Sequence, residues 1–449
     1  MALQPRDPSP PQGGLRPLQA AGVIQPHPIK AAKPPPPQDT RWRLHWLLAA
    51  PHRLGFFGGA LMLAISALWW CMQLYARSSG MPVAWSVSPS TAHALTMTLG
   101  FMPLFFVGFL FTAGPKWLGM PEPGTRALLP QVLTYLAGWI LALVGFHASV
   151  LLATAGLVLV AAAWSSLAWK FTDLWRRSRA QDKAHATVVT IACLFGVLAL
   201  WLIAGGLAFG LDTLVRTATQ AALWMFIATV FATVSHRMIP FFSASALPVL
   251  DAWRPMWLLW SMVSILWLEG LFAVLDLWLW PLPGALRWLQ VAVEAPAGAL
   301  MLWLAIRWGL VQSLKIRLLA MLHVGFVWFG VALIYSALSQ GLWLATGQPV
   351  LGLGALHALS MGFLGSIMVA MVTRVSCGHS GRALVADDLV WGLFWALQGA
   401  VLVRLIAAVQ HAPAWLTTLA AALWAAVVIA WALRYARWYG QPRTDGKPG

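Results

Sequence analysis

Residues 170–209 read KFTDLWRRSRAQDKAHATVVTIACLFGVLALWLIAGGLAF. Lys170, Arg176, Arg177, Arg179 and Lys183 crowd the first part, and 187–209 carries no charge at all. As a helix rising about 1.5 Å per residue, that second part is long enough to cross about 30 Å of hydrocarbon. The same alternation of apolar run and basic loop recurs along the chain. About twelve stretches qualify, near 54–75, 93–113, 129–147, 149–169, 187–209, 216–236, 256–275, 287–307, 317–340, 353–373, 389–410 and 414–435. With the N-terminus in the cytoplasm, 25 of the 29 Lys and Arg fall in the tails and even-numbered loops, and 3 fall in odd-numbered loops. The remaining one, Arg404, lies inside a span. The positive-inside rule then predicts an all-α polytopic membrane bundle with both termini cytoplasmic.

Composition supports this reading. The chain is 60% hydrophobic and 9% charged, with a mean hydropathy of +0.74; soluble domains carry about 25% charged residues. The apolar runs are continuous, which excludes the alternating pattern of a barrel strand. A net charge of +16 would suit nucleic acid. Its confinement to loops and tails assigns it instead to topology and anionic lipid, and excludes a nucleic-acid partner. Trp42, Trp46, Trp85, Trp117, Trp175, Trp253, Trp415 and Trp438 flank spans, as interfacial belts do. Residues 1–45 are Pro-rich and read as a disordered cytoplasmic tail; 46–438 form the bundle and 439–449 a short basic tail. Cys71, Cys193 and Cys377 make no CxxC motif.

Ionisable residues inside a bilayer are costly and usually functional. Glu269, Glu294 and Arg404 are such residues, and a Glu–Arg pair between them would serve either as a helix clamp or as a proton path. The histidines sort by depth. His93, His147 and His357 belong to the periplasmic side, and His52, His236, His323 and His379 to the cytoplasmic side. His27, His45, His185 and His411 read as solvated.

Two spans echo each other. His93-Ala94-Leu95-Thr96-Met97 opens the second, and His357-Ala358-Leu359-Ser360-Met361 the tenth. Each His and Met are four apart, on one helical face. Two His at equal depth suit a haem sandwich or the start of a metal site, with Met as a soft ligand. The alternative is a pair of core histidines bonded to carbonyls. His379 lies 22 residues beyond His357, about 33 Å along a helix, so the two would belong to separate sites. A second cluster could draw on His52, His236, His323 and His379. Residues 374–382, RVSCGHSGR, read as a loop in which Arg374 and Arg382 would bind haem propionates or another anion, or as a glycine-capped basic turn. Residues 237–242, RMIPFF, read as a loop folded back onto the membrane.

The stretch HALSMGFLGSIMVAMVTRVSCGHSGR at 357–382 closely resembles the signature of the NnrS family. RMIPFF at 237–242, HRLGFF at 52–57, GFLFTAGPKWLG at 108–119 and LHVGFVWFG at 322–330 resemble further elements of it, so the likeness runs from about 50 to 435. It implies a bacterial inner-membrane protein containing b-type haem and copper and linked to nitric oxide, through denitrification or defence against nitrosative stress. Its implied partners are nitric oxide or iron-nitrosyl species, membrane lipid and a membrane electron donor. His93, Arg237, His323, His357, Arg374, His379 and Arg382 fall on family motif positions. On that resemblance His93, His357, Arg374 and Arg382 are expected to serve haem, and His323, His379, His52, Met97 and Met361 a metal. The chain departs from the family in lacking a W-H-x-H-E-M pattern around His93, and in having Cys377 for Leu and Ser380 for Thr. A twelve-span secondary transporter is the alternative reading. A terminal oxidase or NO reductase-like subunit is a third, weakened by the absence of an adjacent His-His pair.

Overall fold

The computed structural model describes residues 41–447, and among them twelve helices are long and apolar enough to cross a membrane. They are α1 Pro51–Ser78, α2 Pro89–Leu118, α3 Leu129–Ala148, α4 Val150–Arg177, α5 Ala184–Ala208 and α6 Asp212–Ala246, then α7 Met256–Trp278, α8 Gly284–Arg307, α9 Arg317–Thr346, α10 Gly354–His379, α11 Asp388–Ile406 and α12 Trp415–Tyr439. No strand occurs among the described residues. The protein is a polytopic helical bundle because lipid offers no partner to a backbone N–H or C=O, so each apolar run must close its own hydrogen bonds. Local signals set the ends. Pro51 and Pro89 stand at helix starts, where a missing N–H leaves nothing unpaired. Ser88 Oγ accepts the Thr91 N–H at 3.3 Å, and Asp387 accepts the Val390 N–H at 3.1 Å. Gly347 closes α9 at φ 68°, a conformation open to glycine.

Residues 1–40 of the expected N-terminal tail lie outside the described residues. The rest of that segment is held in place: Leu44–Leu48 form a short 3-10 helix, and the Arg43 N–H donates to the Gly440 carbonyl at 2.8 Å. Helices pack mainly on sequence neighbours, and α12 returns onto α1. Three pairs touch through glycines. A Cβ on Gly55 would stand 2.2 Å from Gly108 N, one on Gly145 2.2 Å from Ala153 N, and one on Gly298 2.9 Å from the Gly330 carbonyl.

The interior is built from α2, α6 and α10. In their most apolar windows 83%, 78% and 78% of residues are buried, against 33% in α11. Each of the three is interrupted at depth. α6 carries a π-helical segment at Ala222–Ala228 and α10 one at Ala358–Gly365, a distortion often found at functional sites. α2 breaks at Gly100 and Phe101. The cause is Pro103, which has no N–H to give the Leu99 carbonyl. Tyr135 of α3 supplies the missing donor through its hydroxyl. Tyr135→Phe leaves that carbonyl buried and unpaired, and is expected to lower stability by about 1–3 kcal/mol, read as a fall in the unfolding midpoint in detergent.

Two expected loops are helical. Residues 237–242 continue α6 with Pro240 inside it, and 374–379 complete α10 before a turn at Gly381, φ 72°. Hydropathy marks where contact with lipid ends, whereas these segments are shielded by each other: the Arg374 guanidinium lies over the Phe242 ring, 4.1 Å from its centre.

Candidate functional site

His93 and Met97 of α2, and His357 and Met361 of α10, line one cavity of about 890 Å³. That lies in the size range of sites for cofactors and small ligands, about 300–1,000 Å³. Its rim, at the end of the bundle where α1 finishes and α2 begins, includes Arg77, Pro89, Trp280 and Gly352. Its floor, near mid-span, includes Phe101 and Met102 at the α2 break, Ile227 in the π segment of α6, Leu364 in that of α10, and Trp424. The three interruptions therefore meet at the cavity, and the backbone distortions make its room.

The two imidazoles are prepared differently. His357 Nδ1 lies 2.9 Å from the Leu353 carbonyl. A carbonyl only accepts, so Nδ1 carries the proton and Nε2 keeps its lone pair. A backbone bond of this kind commonly holds a ligating His in register. The His93 ring stacks on Trp70 at 4.0 Å and 25°, and its Nδ1 is buried without a partner. His147, the third histidine expected at this depth, is structural: it takes the Trp69 indole N–H at 3.0 Å and bonds the Ala84 carbonyl at 2.9 Å.

Several wall residues were not picked out from the sequence. Trp70, Arg77, Arg216 and Asp276 all line the cavity, together with Glu269 and Arg404, which the sequence does single out. A signal for the arginines was present. Four basic residues fall outside the tails and even-numbered loops: Arg77, Arg216, Arg287 and Arg404. Three line the cavity, and Arg287 bonds Asp276 at 3.4 Å and Gln340, both wall residues. The expected Glu–Arg pairs are absent among the described residues. Glu269 and Glu294 contact each other instead, because α7 and α8 present them face to face, and Arg404 points to the cavity.

The opposite end of the bundle separates the remaining histidines. His52 and His379 meet, with ring centres 4.5 Å apart, and His52 Nδ1 is buried without a partner. Arg53, Lys116 and Arg443 lie within electrostatic reach of both. His323 Nε2 bonds Ser243 Oγ at 2.9 Å. His185, expected to be solvated, is buried and bonds His236 at 3.0 Å. Arg237 donates to His185 Nδ1 at 3.4 Å, so His185 Nε2 donates to His236 Nδ1, and His236 Nε2 to the Pro255 carbonyl at 3.2 Å. Every ring nitrogen in that relay is used, which leaves no lone pair for a metal. Among the described residues no three His, Cys, Asp or Glu side chains gather as a metal-holding group. The expected four-histidine cluster is therefore a pair.

Arg374 and Arg382 also sit at this end, far along α10 from His357, and do not face the cavity. Arg382 lies over Trp438 at 4.3 Å and bonds Gln441 at 3.3 Å. Burial pulls its guanidinium below the usual range. Partial burial alone would raise Asp387; the Val390 N–H and the Arg434 guanidinium outweigh it and hold that carboxyl low.

No curated protein matches the chain. The family model described as NnrS protein matches residues 46–443, which is nearly the whole chain and includes both histidine pairs, and the protein belongs to the NnrS family.

Proposed function

We propose that this NnrS protein holds b-type haem in the cavity between α2 and α10 and acts in the nitric oxide response. The observation that carries the reading is the sharing of one large, mostly apolar cavity by His93 and His357 on two interrupted helices. Each offers a ring nitrogen that no protein group uses. The residues fit the group: two imidazoles for iron, thioethers of Met97 and Met361 beside them, and Arg77, Arg216 and Arg404 for two propionates. Bound there, haem would supply one-electron chemistry and affinity for nitric oxide. The protein's part is to fix His357 through Leu353, to fix His93 against Trp70, and to keep water from the apolar floor. Reducing equivalents would come from a membrane electron donor. The test is an absorption spectrum of the purified protein, oxidised and reduced, with and without nitric oxide, beside elemental analysis. A Soret band that moves on adding nitric oxide, with stoichiometric iron, supports the reading; a colourless protein from haem-replete cells removes it.

Copper would have His52 and His379 at the other end. Two imidazoles without a carboxylate, and with Arg53, Lys116 and Arg443 nearby, would hold a singly charged Cu(I) more readily than a Cu(II) ion. His52→Ala and His379→Ala are each expected to remove copper and leave the haem spectrum unchanged, measured by elemental analysis.

A secondary transporter fits less well. Its broken helices should recur in two matching halves, whereas here the interruptions recur at every fourth helix. We infer from the loop charges that both termini are cytoplasmic, and the family likeness supports a bacterial inner membrane. A reporter active only in the periplasm is expected to be silent when fused after Gly449 and active when inserted after Trp280.

A further inference from the structure

Glu269 and Glu294 are 4% and 0% exposed, and no basic side chain pairs with either among the described residues. Glu294 Oε1 accepts from Gln290 Nε2 at 2.6 Å and from Ser336 Oγ at 2.7 Å. Glu294 Oε2 and Glu269 Oε1 have no donor, although the two carboxyls touch. Two carboxylates in contact in a medium of low dielectric cannot both be charged. A proton between them removes the repulsion and supplies the missing donor. The donors on Glu294 favour charge there, so the O–H belongs to Glu269, and Glu269 is the member that lines the cavity.

A second feature leads outward. Asp276 follows Glu269 by seven residues on α7, about 10 Å along the helix and on the same side. It too lines the cavity, with a carboxylate 37% exposed near the rim and paired to Arg287 at 3.4 Å. Ser336, Ser339 and Gln340 of α9 line the wall between them. The walls are otherwise mostly apolar, so this polar track joining a buried acid pair to the rim needs a cause.

We propose that Glu269 and Glu294 form a proton-storing acid pair in the cavity wall, loaded from the rim through Asp276, Gln340, Ser339 and Ser336. The pair alternates between one and two protons. On release, one carboxyl O–H bond breaks, a bond to a cavity water oxygen forms, and the pair keeps one proton and a single negative charge, held mainly on Glu294 and hydrogen-bonded by the Glu269 O–H. No electron moves. The titratable and charged groups sharing the cavity are Arg77, His93, Arg216, Asp276, His357 and Arg404, and Arg287 stands behind the wall, bonded to Asp276 at 3.4 Å and to Gln340. Their arginines stabilise the charged state at a distance without pairing to it. The proposal goes beyond the haem reading and does not need the cavity to be filled.

Infrared difference spectroscopy of the detergent-purified full chain tests it, between acid and alkaline pH in H2O and in D2O. A protonated-carboxyl C=O band is expected that moves in D2O, moves again with 13C-glutamate, shifts in Glu269→Gln and in Glu294→Gln as the shared hydrogen bond is lost, and disappears in the double variant. Absence of a 13C-glutamate-sensitive band in the unsubstituted protein overturns the pair, whether or not the variants fold, as does an unshifted band in both single variants. Asp276→Asn is expected to slow hydrogen–deuterium exchange of the band by about tenfold or more; an unchanged rate overturns the track. Haem absorbance read on the same samples separates the two readings. A haem-free protein that keeps the band retains the acid pair and loses the cofactor, and a haem-replete protein without the band does the reverse.

Discussion

His357→Ala, and separately His93→Ala, is expected to strip haem from the purified protein while leaving its folding intact. Loss of a partner that only orients a ligand weakens metal binding by about 10–100-fold, so loss of a ligand itself should cost about 100-fold or more in haem affinity. The two rings are not equivalent. His357 is held by the Leu353 carbonyl and is poised before anything binds. His93 is held by stacking on Trp70. Trp70→Leu should therefore weaken haem binding less than His93→Ala, and alter the Soret position of what remains. Iron content and the reduced-minus-oxidised spectrum are the measurements. Added imidazole should restore the spectrum in His357→Gly, because the lost group can re-enter a cavity of about 890 Å³. Full haem content in both alanine variants would remove α2 and α10 as the ligand-bearing helices.

The second large effect is on stability. Gly55→Leu drives side-chain atoms into the backbone of α2, since even a Cβ would lie 2.2 Å from Gly108 N and 2.9 Å from the Leu104 carbonyl. Overpacking against movable side chains costs about 1–3 kcal/mol. Here the obstacle is another helix backbone, so the upper end or beyond is expected, about 3 kcal/mol or more. The disturbance reaches His52, whose carbonyl lies 3.2 Å from where a Cβ on Gly108 would stand. Thermal unfolding in detergent should show a lowered midpoint, with copper lost before haem. Gly205→Leu is the control, because its Cβ would meet nothing within 4 Å; it should unfold near the unsubstituted protein.

The part of the site legible in the chain was the part written as local repetition. The echo of His93-x3-Met97 in His357-x3-Met361 brought four cavity residues forward, because matched depth on two helices is a property of spacing alone. The anionic and cationic walls were less accessible. Arg404 stands out in the sequence as a charge inside a span, whereas Arg77 and Arg216 enter only as exceptions to a topology rule, although basic residues on the wrong side of a membrane need a local reason. Glu269 and Glu294 were expected to seek Arg404, and found each other. Which face of α7 meets which face of α8 depends on packing that neither helix encodes by itself. The same holds for His185, which looked like a loop residue until α6 placed His236 and Arg237 against it.

The chain by itself determined that there are twelve apolar helices, where the charge lies and which two of them carry matched histidines. Each of these follows from the cost of placing polar backbone and charge in hydrocarbon, and that cost is counted residue by residue. Only the tertiary structure decided that α2, α6 and α10 are the interior, that their three interruptions meet in one cavity, and that Arg77, Arg216 and Arg404 line it. Those outcomes depend on which helix faces shed lipid for protein. In lipid the hydrophobic effect does not discriminate among such faces; small residues and single hydrogen bonds do, such as Gly55 against Gly108 and Tyr135 to Leu99.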